Sequence, residues 1–486
     1  MANLRKNFIY NTILTLSGYI FPLLTFPYIS RVLGVKNVGI VNFVSSVIDY
    51  FILFSTLGLA IVGLREIARC QDRIQRDKIF SQLVSIHFTL SVIVLFIYAL
   101  CIFVIPQLYE YKMLFWIGSA KIILNVFLVE WFFRGLQNFK YVTLRSIFTR
   151  TLYVIAIFIF VRERNDYLLY FVITIGQVLL NAAINWNYSR RYVSFVPTLK
   201  GTKKFIIPLF SWGTNMILLS FYSTFNVMYL GFVSGAIAVG YYTTATKLYS
   251  IILSVLQAYN GVFIPYLNSL CSKGEIEEFK NTIKKSFNIV STLSIPLVAV
   301  CFVLAPEIIN IIAGNEFAPA VYPFRIVLFQ VLIIGISQIT NSQILLSLKK
   351  DREILISTLC GTTTSVAILL LFVKNYGEIA AAYAVTFSHL VEFAFLFYFA
   401  KKSLDFKFPI RSFVETTLYT IPMIVFVVFI KVVLTGTWSI LLVSSAICTI
   451  YYVYVLYFIK KDELIRKFLN NIMLRHFNYP KDEEQC

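Results

Sequence analysis

Apolar residues along this chain come in runs of about twenty, separated by short stretches that hold charges, Gly or Pro. A helix needs about 20 such residues to cross a bilayer, so each run predicts one membrane-spanning helix. Fourteen are predicted, over residues 8–30, 38–63, 80–105, 113–133, 146–161, 167–187, 205–231, 239–267, 287–313, 321–346, 354–373, 379–400, 413–431 and 439–459. The expected fold class is an all-α polytopic membrane protein. Arg5 and Lys6 ahead of the first run imitate a secretion signal. The run is too long for one and no small-residue cleavage site follows it, so it reads as an uncleaved first span. Beyond Lys460 the pattern changes. Leu464, Ile465, Phe468, Leu469, Ile472 and Met473 recur at helical spacing beside Lys and Arg, which predicts a helix lying on the membrane surface.

Polar positions inside the runs form stripes. Asn7, Asn11, Thr15, Gly18, Pro22 and Thr25 step by three or four residues along the first span and so share a face. Ser211, Asn215, Tyr222 and Asn226 do the same in the seventh. The second span carries Asn42, Ser45, Ser46, Asp49 and Thr56, and the eighth Thr243, Lys247, Ser250, Ser254, Gln257 and Gly261. Such a stripe either packs against another helix or lines a wet cavity. Small residues alone favour packing, whereas a stripe that includes Asp49 or Lys247 favours the cavity.

The two halves repeat each other. Val38-Gly39-Ile40 aligns with Val239-Gly240-Tyr241 at an offset of 201 residues. Each motif closes an external turn between the first and second spans of its half, and six spans separate the two, so the repeats run parallel. The expected layout is one six-helix bundle over 1–190 and a second over 205–402, joined by a cytoplasmic linker over 191–204. Two further helices over 403–460 and a tail over 461–486 follow. Parallel six-helix halves are a transporter plan, with the substrate path between them.

Composition removes the other classes. The chain of 486 residues is 58% hydrophobic and 14% charged, against about a quarter charged in soluble domains. It lacks the polar surface that a cytosolic enzyme, a secreted domain or a disordered chain would need. It holds 43 Lys+Arg against 24 Asp+Glu, a net charge of +19. With the N-terminus in the cytoplasm, 33 of the basic residues fall in inner segments, seven in outer segments and three inside spans. Lys and Arg accumulate on the cytoplasmic side, so both termini are expected inside. The basic excess is thus a topology signal, and no nucleic acid partner is needed to explain it. The seven cysteines form no CxxC pair and there are three histidines, so neither a disulfide framework nor a metal site is expected.

Charges inside spans carry the candidate chemistry. A charge near the bilayer centre costs about 2.5–3.5 kcal/mol on the insertion scale and seldom faces lipid. The candidates are Asp49, Lys121, Glu130, Lys247, Arg325, His389 and Glu392, with Arg31 and Glu307 at outer ends and Arg65 and Glu66 at inner ends. Lys247 leads, because it lies on a polar stripe. The repeat offset places it opposite Ser46, one turn from Asp49, so the halves face each other with opposite charge. It either holds an anionic substrate or pairs with Asp49. Lys121 shares a face with Asn125 and is either a cavity cation or a snorkelling lysine. Glu130 has Arg134 as its natural partner at i+4. Arg31 and Arg325 either guide an anion at the outer mouth or anchor their helices there. Thr386, His389 and Glu392 share one face, where a His–Glu pair carries a proton, binds a cation or is structural.

Enzyme motifs are missing from the sequence. No GxxxxGK[ST] phosphate loop, HExxH, GxSxG or paired-cysteine site occurs. A transporter is therefore expected, with no ATPase activity of its own.

The stretch YISRVLGVKNVGIVNFVSSVIDYF (Tyr28–Phe51) resembles the opening signature of polysaccharide and O-antigen flippases. LGLAIVGLREIAR (Leu57–Arg69) and EWFFRGLQNFKYVTLRS (Glu130–Ser146), followed by Asp166-Tyr167, do so too. These are Wzx-like members of the multidrug/oligosaccharidyl-lipid/polysaccharide exporter superfamily. The resemblance is specific over roughly the first 190 residues and mostly topological beyond. It implies two six-helix bundles around a central cavity and alternating access. It further implies an undecaprenyl-diphosphate-linked oligosaccharide as cargo, moved from the inner to the outer leaflet of the bacterial cytoplasmic membrane. Relatives hold the diphosphate with cavity cations, and Arg31, Arg65, Lys121, Lys247 and Arg325 are the positions that fit. Asp49, Glu392 and His389 are the candidate ion-coupling groups. No cofactor is expected beyond a coupled proton or sodium ion. The implied partners are the lipid-linked oligosaccharide, the membrane, and a polysaccharide polymerase with chain-length proteins. The rival readings are a multidrug or cation antiporter of the same superfamily and, further off, a membrane polymerase or glycosyltransferase acting on the same carrier.

Overall fold

The computed structural model describes residues 2–460, and the predicted surface helix beyond Lys460 lies outside the described residues. Among these the chain is helical, with no strand. The helices are α1 (Ala2–Thr56), α2 (Leu59–Ala68), α3 (Arg73–Val104), α4 (Pro106–Glu110), α5 (Lys112–Phe127), α6 (Glu130–Gly135), α7 (Phe139–Phe160) and α8 (Tyr167–Ser189). They continue as α9 (Lys203–Ser220), α10 (Thr224–Lys273), α11 (Ile276–Val303), α12 (Ala305–Ile312), α13 (Val321–Gln338), α14 (Asp351–Ser403), α15 (Ile410–Val433) and α16 (Thr437–Tyr454). Among the described residues, 11 segments are long and apolar enough to cross a membrane. The chain is a multi-pass membrane protein.

Three predicted connections are not loops. α1, α10 and α14 each run through one, broken by a single glycine outside helical geometry: Gly34 (φ 74°, ψ 173°), Gly235 (φ 82°, ψ −179°) and Gly377 (φ 52°, ψ −129°). Positive φ is open to glycine and costly for a residue with a Cβ. One such residue redirects the chain, so the charged stretch over 31–37 that reads as a connection stays helical up to the break. Gly34 and Gly235 share a conformation and lie 201 residues apart, the offset of the sequence repeat.

α1 packs more extensively on α10 than any other two helices pack on each other. The glycines explain why. A Cβ on Gly39 would lie 1.8 Å from the Ala236 carbonyl oxygen, and one on Gly240 would lie 2.5 Å from that of Val35. The offset of 201 exchanges the two contacts. In lipid, where helices gain little by hiding apolar surface from one another, such close backbone approach supplies the van der Waals packing. Around it Phe26, Leu33, Phe43 and Val44 of α1 form one core with Leu230, Val239 and Tyr242 of α10 and Val327 of α13. α15 and α16 pack on α11 and α12 through Met423, Val427, Ile440 and Leu304.

Other boundaries move for local reasons. α3 begins at Arg73 because the Asp72 carboxylate accepts from the Gln75 N–H at 2.7 Å, a cap that satisfies an otherwise orphaned donor. α7 begins at Phe139, not at 146, with Asn138 as its cap. Arg145, expected in an inner connection, and Arg150, counted with the inner charges although it falls in the predicted span 146–161, therefore both lie well inside that helix. The fourth predicted span stops at Phe127. Val129 takes a left-handed conformation (φ 32°) and the short α6 follows.

Candidate functional site

Two cavities meet at Lys247. The first holds about 380 Å³ and is walled by Asn42, Ser45, Ser46 and Asp49 of α1 and by Thr243, Thr246, Lys247 and Ser250 of α10, with Tyr222 and Gln330 beside them. The second holds about 310 Å³, between Gly18, Pro22, Thr25 and Phe26 of α1, Arg150 and Tyr153 of α7, Tyr170 and Gln177 of α8, and again Lys247. Parts of the polar stripes of the first, second and eighth predicted spans thus line these cavities.

Lys247 lies one turn beyond Thr243 on α10, which sets both on one face. Its Nζ donates to Asn42 Oδ1 at 3.3 Å and sits 4.8 Å from the centre of the Phe26 ring. Asn42 Nδ2 donates to Thr243 Oγ1 at 3.2 Å, which turns the amide oxygen towards the lysine. Arg150 Nη1 donates to Ser17 Oγ, and to the Leu14 carbonyl at 3.3 Å. Among the described residues, neither cation has a carboxylate within 4.0 Å. Pro22 has no N–H for the Gly18 carbonyl. The guanidinium lies against Gly18, where a Cβ would be in ordinary contact with Arg150 Nη1 and Nη2 at 3.8 Å.

Asp49 is not paired with Lys247. Its partner is Lys121, whose Nζ donates to Asp49 Oδ1 at 2.6 Å. The Asp49 side chain is half exposed and walls the first cavity.

Three other predicted cations are engaged elsewhere, and none of them walls these two cavities. Arg31 Nη2 donates to the Ile311 carbonyl at the end of α12. Arg65 of α2 lies over the Trp212 ring of α9 at 4.6 Å. Arg325 Nε donates to the Phe302 carbonyl at 3.1 Å, with the guanidinium 5.1 Å from the Phe302 ring centre. Beside Arg31, Arg164 pairs with Glu316 next to Gly34, and Asn37 Nδ2 donates to the Arg164 carbonyl at 2.7 Å. α1 is thereby tied to residues 311–316.

His389 and Glu392 come together as predicted. His389 Nδ1 is 3.3 Å from Glu392 Oε2, and Thr358 Oγ1 donates to Glu392 Oε1 at 3.1 Å. The Tyr222 ring stacks on His389 at 4.8 Å, and its hydroxyl donates to the Thr358 carbonyl at 3.0 Å. Gly361 makes this possible, because a Cβ there would stand 2.4 Å from the Tyr222 hydroxyl. Thr386 turns away to accept from Gln330 Nε2 at 3.0 Å. Glu130 takes its predicted partner Arg134 at 2.7 Å and also the buried Arg145 at 2.8 Å. Glu307 pairs with Lys431 of α15 at 2.8 Å.

Arg150 is the functional candidate that sequence reasoning missed. Counting it among loop charges hid it. The Asn138 cap ahead of Phe139 was the available signal, because a helix begun there places Arg150 near its middle.

Residues 4–271 match the sequence profile of the family described as "Polysaccharide biosynthesis protein". A putative O-antigen transporter of Escherichia coli (strain K12) is 24% identical over 389 residues, 78% of this chain and 92% of that protein. One of Shigella dysenteriae is 22% identical over 402 residues, 81% of this chain and 99% of the other. Among solved structures, the lipid II flippase MurJ in an inward closed conformation superposes with a TM-score of 0.78 at 14% identity, over 93% of this chain and 99% of that one. An inward-facing multidrug transporter of the MATE family gives 0.61 at 13% identity, over 81% and 98%.

Proposed function

The chain belongs to the polysaccharide biosynthesis protein family, and from that premise we propose that it is a flippase for a lipid-linked polysaccharide precursor. The cargo we infer is an undecaprenyl-diphosphate-linked oligosaccharide, moved from the inner to the outer leaflet of the bacterial cytoplasmic membrane by alternating access. One observation carries the reading: Lys247 and Arg150 reach one cavity from α10 and α7, and neither has a carboxylate partner among the described residues. A diphosphate carries about two negative charges and pays heavily to enter hydrocarbon. Two cations in a space poor in water offset that cost far better than cations in bulk solvent. Tyr153 and Tyr170 stand in the same wall and offer aromatic faces to sugar rings, while the prenyl tail stays in lipid.

In this reading each glycine-broken helix counts as two spans, giving fourteen with both ends in the cytoplasm. The contacts that join the halves must break in each cycle. Arg31–Ile311, Arg164–Glu316 and Arg65–Trp212 suit that role, since a net hydrogen bond, an exposed ion pair and an exposed cation–π contact are each worth only about 0–1.5 kcal/mol. The His389–Glu392 pair is the candidate for coupling to a proton or sodium ion. A membrane potential, at about 2.3 kcal/mol per charge per 100 mV, drives an anion outward without such coupling. The antiporter reading calls for free cavity acids, whereas Asp49 is already held by Lys121.

Depletion of the protein in its host tests the assignment. Lipid-linked oligosaccharide is expected to build up in the inner leaflet while its synthesis continues. Unchanged surface polysaccharide together with lost drug resistance would reverse it in favour of the antiporter.

A further inference from the structure

α11 contains Pro296, which has no N–H to give to the Thr292 carbonyl. The Tyr452 hydroxyl of α16 donates to that carbonyl instead, at 2.7 Å, and Lys460 Nζ donates to Thr292 Oγ1 at 2.5 Å. Two grooves flank this contact, Lys460 walling one and Thr292 the other. Towards the start of α11 lies a cavity of about 890 Å³, walled by Lys280, Lys284, Lys407, Arg411 and Lys460. Three carboxylates also face it, from Glu277, Asp405 and Glu415. Arg411 is neutralised by Glu415 at 2.7 Å and Lys280 faces Glu277 at 3.7 Å. Among the described residues, Lys284 and Lys407 have no carboxylate within 4.0 Å. In the other direction, past Pro296, a groove of about 320 Å³ runs between α11, α15 and α16, with apolar walls that include Leu297, Val300, Met423, Leu441 and Val453.

We propose that these grooves form one binding site for an anionic glycerophospholipid, with its phosphate beside Lys284 and Lys407 and an acyl chain in the apolar groove. The shape and the charge select this occupant together. A soluble anion would leave the apolar arm unfilled, and a zwitterionic lipid would not answer the excess of cations. Basic pockets between membrane helices hold acidic headgroups, and each lysine near the surface contributes about 1 kcal/mol. The site is separate from the central cavities and belongs to the two helices outside the predicted six-helix halves. A bound lipid would pin α15 and α16 to α11.

Native mass spectrometry of the full chain, exchanged into phosphatidylglycerol or phosphatidylcholine with identical acyl chains, tests this. Retention of phosphatidylglycerol is expected to exceed that of phosphatidylcholine about tenfold. Lys284→Glu with Lys407→Glu should erase the difference, and both side chains are exposed enough for the variant to fold. Ser445→Trp places an indole in the apolar groove and should lower retention of both lipids. Equal retention by the wild type, an unchanged preference in the double lysine variant, or full retention in Ser445→Trp would each overturn the proposal. Displacement of phosphatidylglycerol by an equal concentration of glycerol phosphate would overturn it too, and would make the ligand a soluble phosphate.

Discussion

Lys121 donates to Asp49 at 2.6 Å, and that ion pair leaves Lys247 without a carboxylate. The sequence offers Asp49 two cations. Chain geometry gives it the one on α5, so the lysine on α10 has no carboxylate to compete with an anion entering the cavity.

Lys247→Ala is expected to abolish surface polysaccharide at normal protein level, and Lys247→Arg to retain it if charge is what matters. Immunoblotting of the polysaccharide beside the protein checks both. Normal polysaccharide in the alanine variant would remove Lys247 from the diphosphate site.

Arg150→Ala should act in the same direction. A hydrogen bond to a charged group is worth about 1.5–3 kcal/mol, so transport in vesicles should fall by roughly tenfold to a hundredfold. Arg145→Ala offers a contrast. Arg145 holds Glu130 rather than walling the cavities, so its loss should reduce the amount of folded protein more than the transport per molecule.

The Asp49–Lys121 pair is partly exposed, with side chains at 47% and 20% of their full accessibility. Its worth is accordingly about 1 kcal/mol. Asp49→Asn and Lys121→Met should each lower the melting temperature of the detergent-solubilised protein by roughly 1 °C. The double variant should be less destabilised than the two effects added. Full additivity would show that the pair does not form in solution.

Gly39→Ala and Gly240→Ala each drive a methyl group into a backbone carbonyl across the α1–α10 contact. Overpacking of this kind costs about 1–3 kcal/mol or more, and both variants should express poorly. Gly176→Ala is the control, because nothing lies within 4 Å of a Cβ there. Equal expression of all three would mean that the close contact is not needed.

Asp166 at the start of α8 accepts from the backbone N–H groups of Arg162 and Glu163, both at 2.8 Å, and these bonds lower its pKa below the usual carboxylate value. Its support for the turn is therefore full above that value and is lost as pH falls through the lowered one. Protection from hydrogen exchange over 162–167, taken relative to the intrinsic rate at each pH, should fall on acidification. Asp166→Asn should flatten the response, and an unchanged pH profile in that variant would assign the sensitivity to another group.

The sequence by itself determined that the chain is helical and membrane-embedded, because long apolar runs with few charges have no other stable arrangement in lipid. It also set the parallel repeat motif and the stripes that line the cavities, because helical periodicity places residues three and four apart on one face. It did not determine which charges meet. Asp49 with Lys121, Glu130 with Arg145 and Glu307 with Lys431 are contacts between separate helices, and their registers follow from packing that no local pattern encodes. The same holds for Arg31, Arg65 and Arg325, whose positions at helix ends suit cavity guides and anchors equally well until the neighbours are known. Tertiary structure alone decided that Arg150 enters the cavity and that Lys247 has no acidic partner. The first follows from the packing of α7 against α1 beside Ser17, and the second from how closely the backbones of α1 and α10 approach at Gly39 and Gly240, which sets the register of the side chains along that contact.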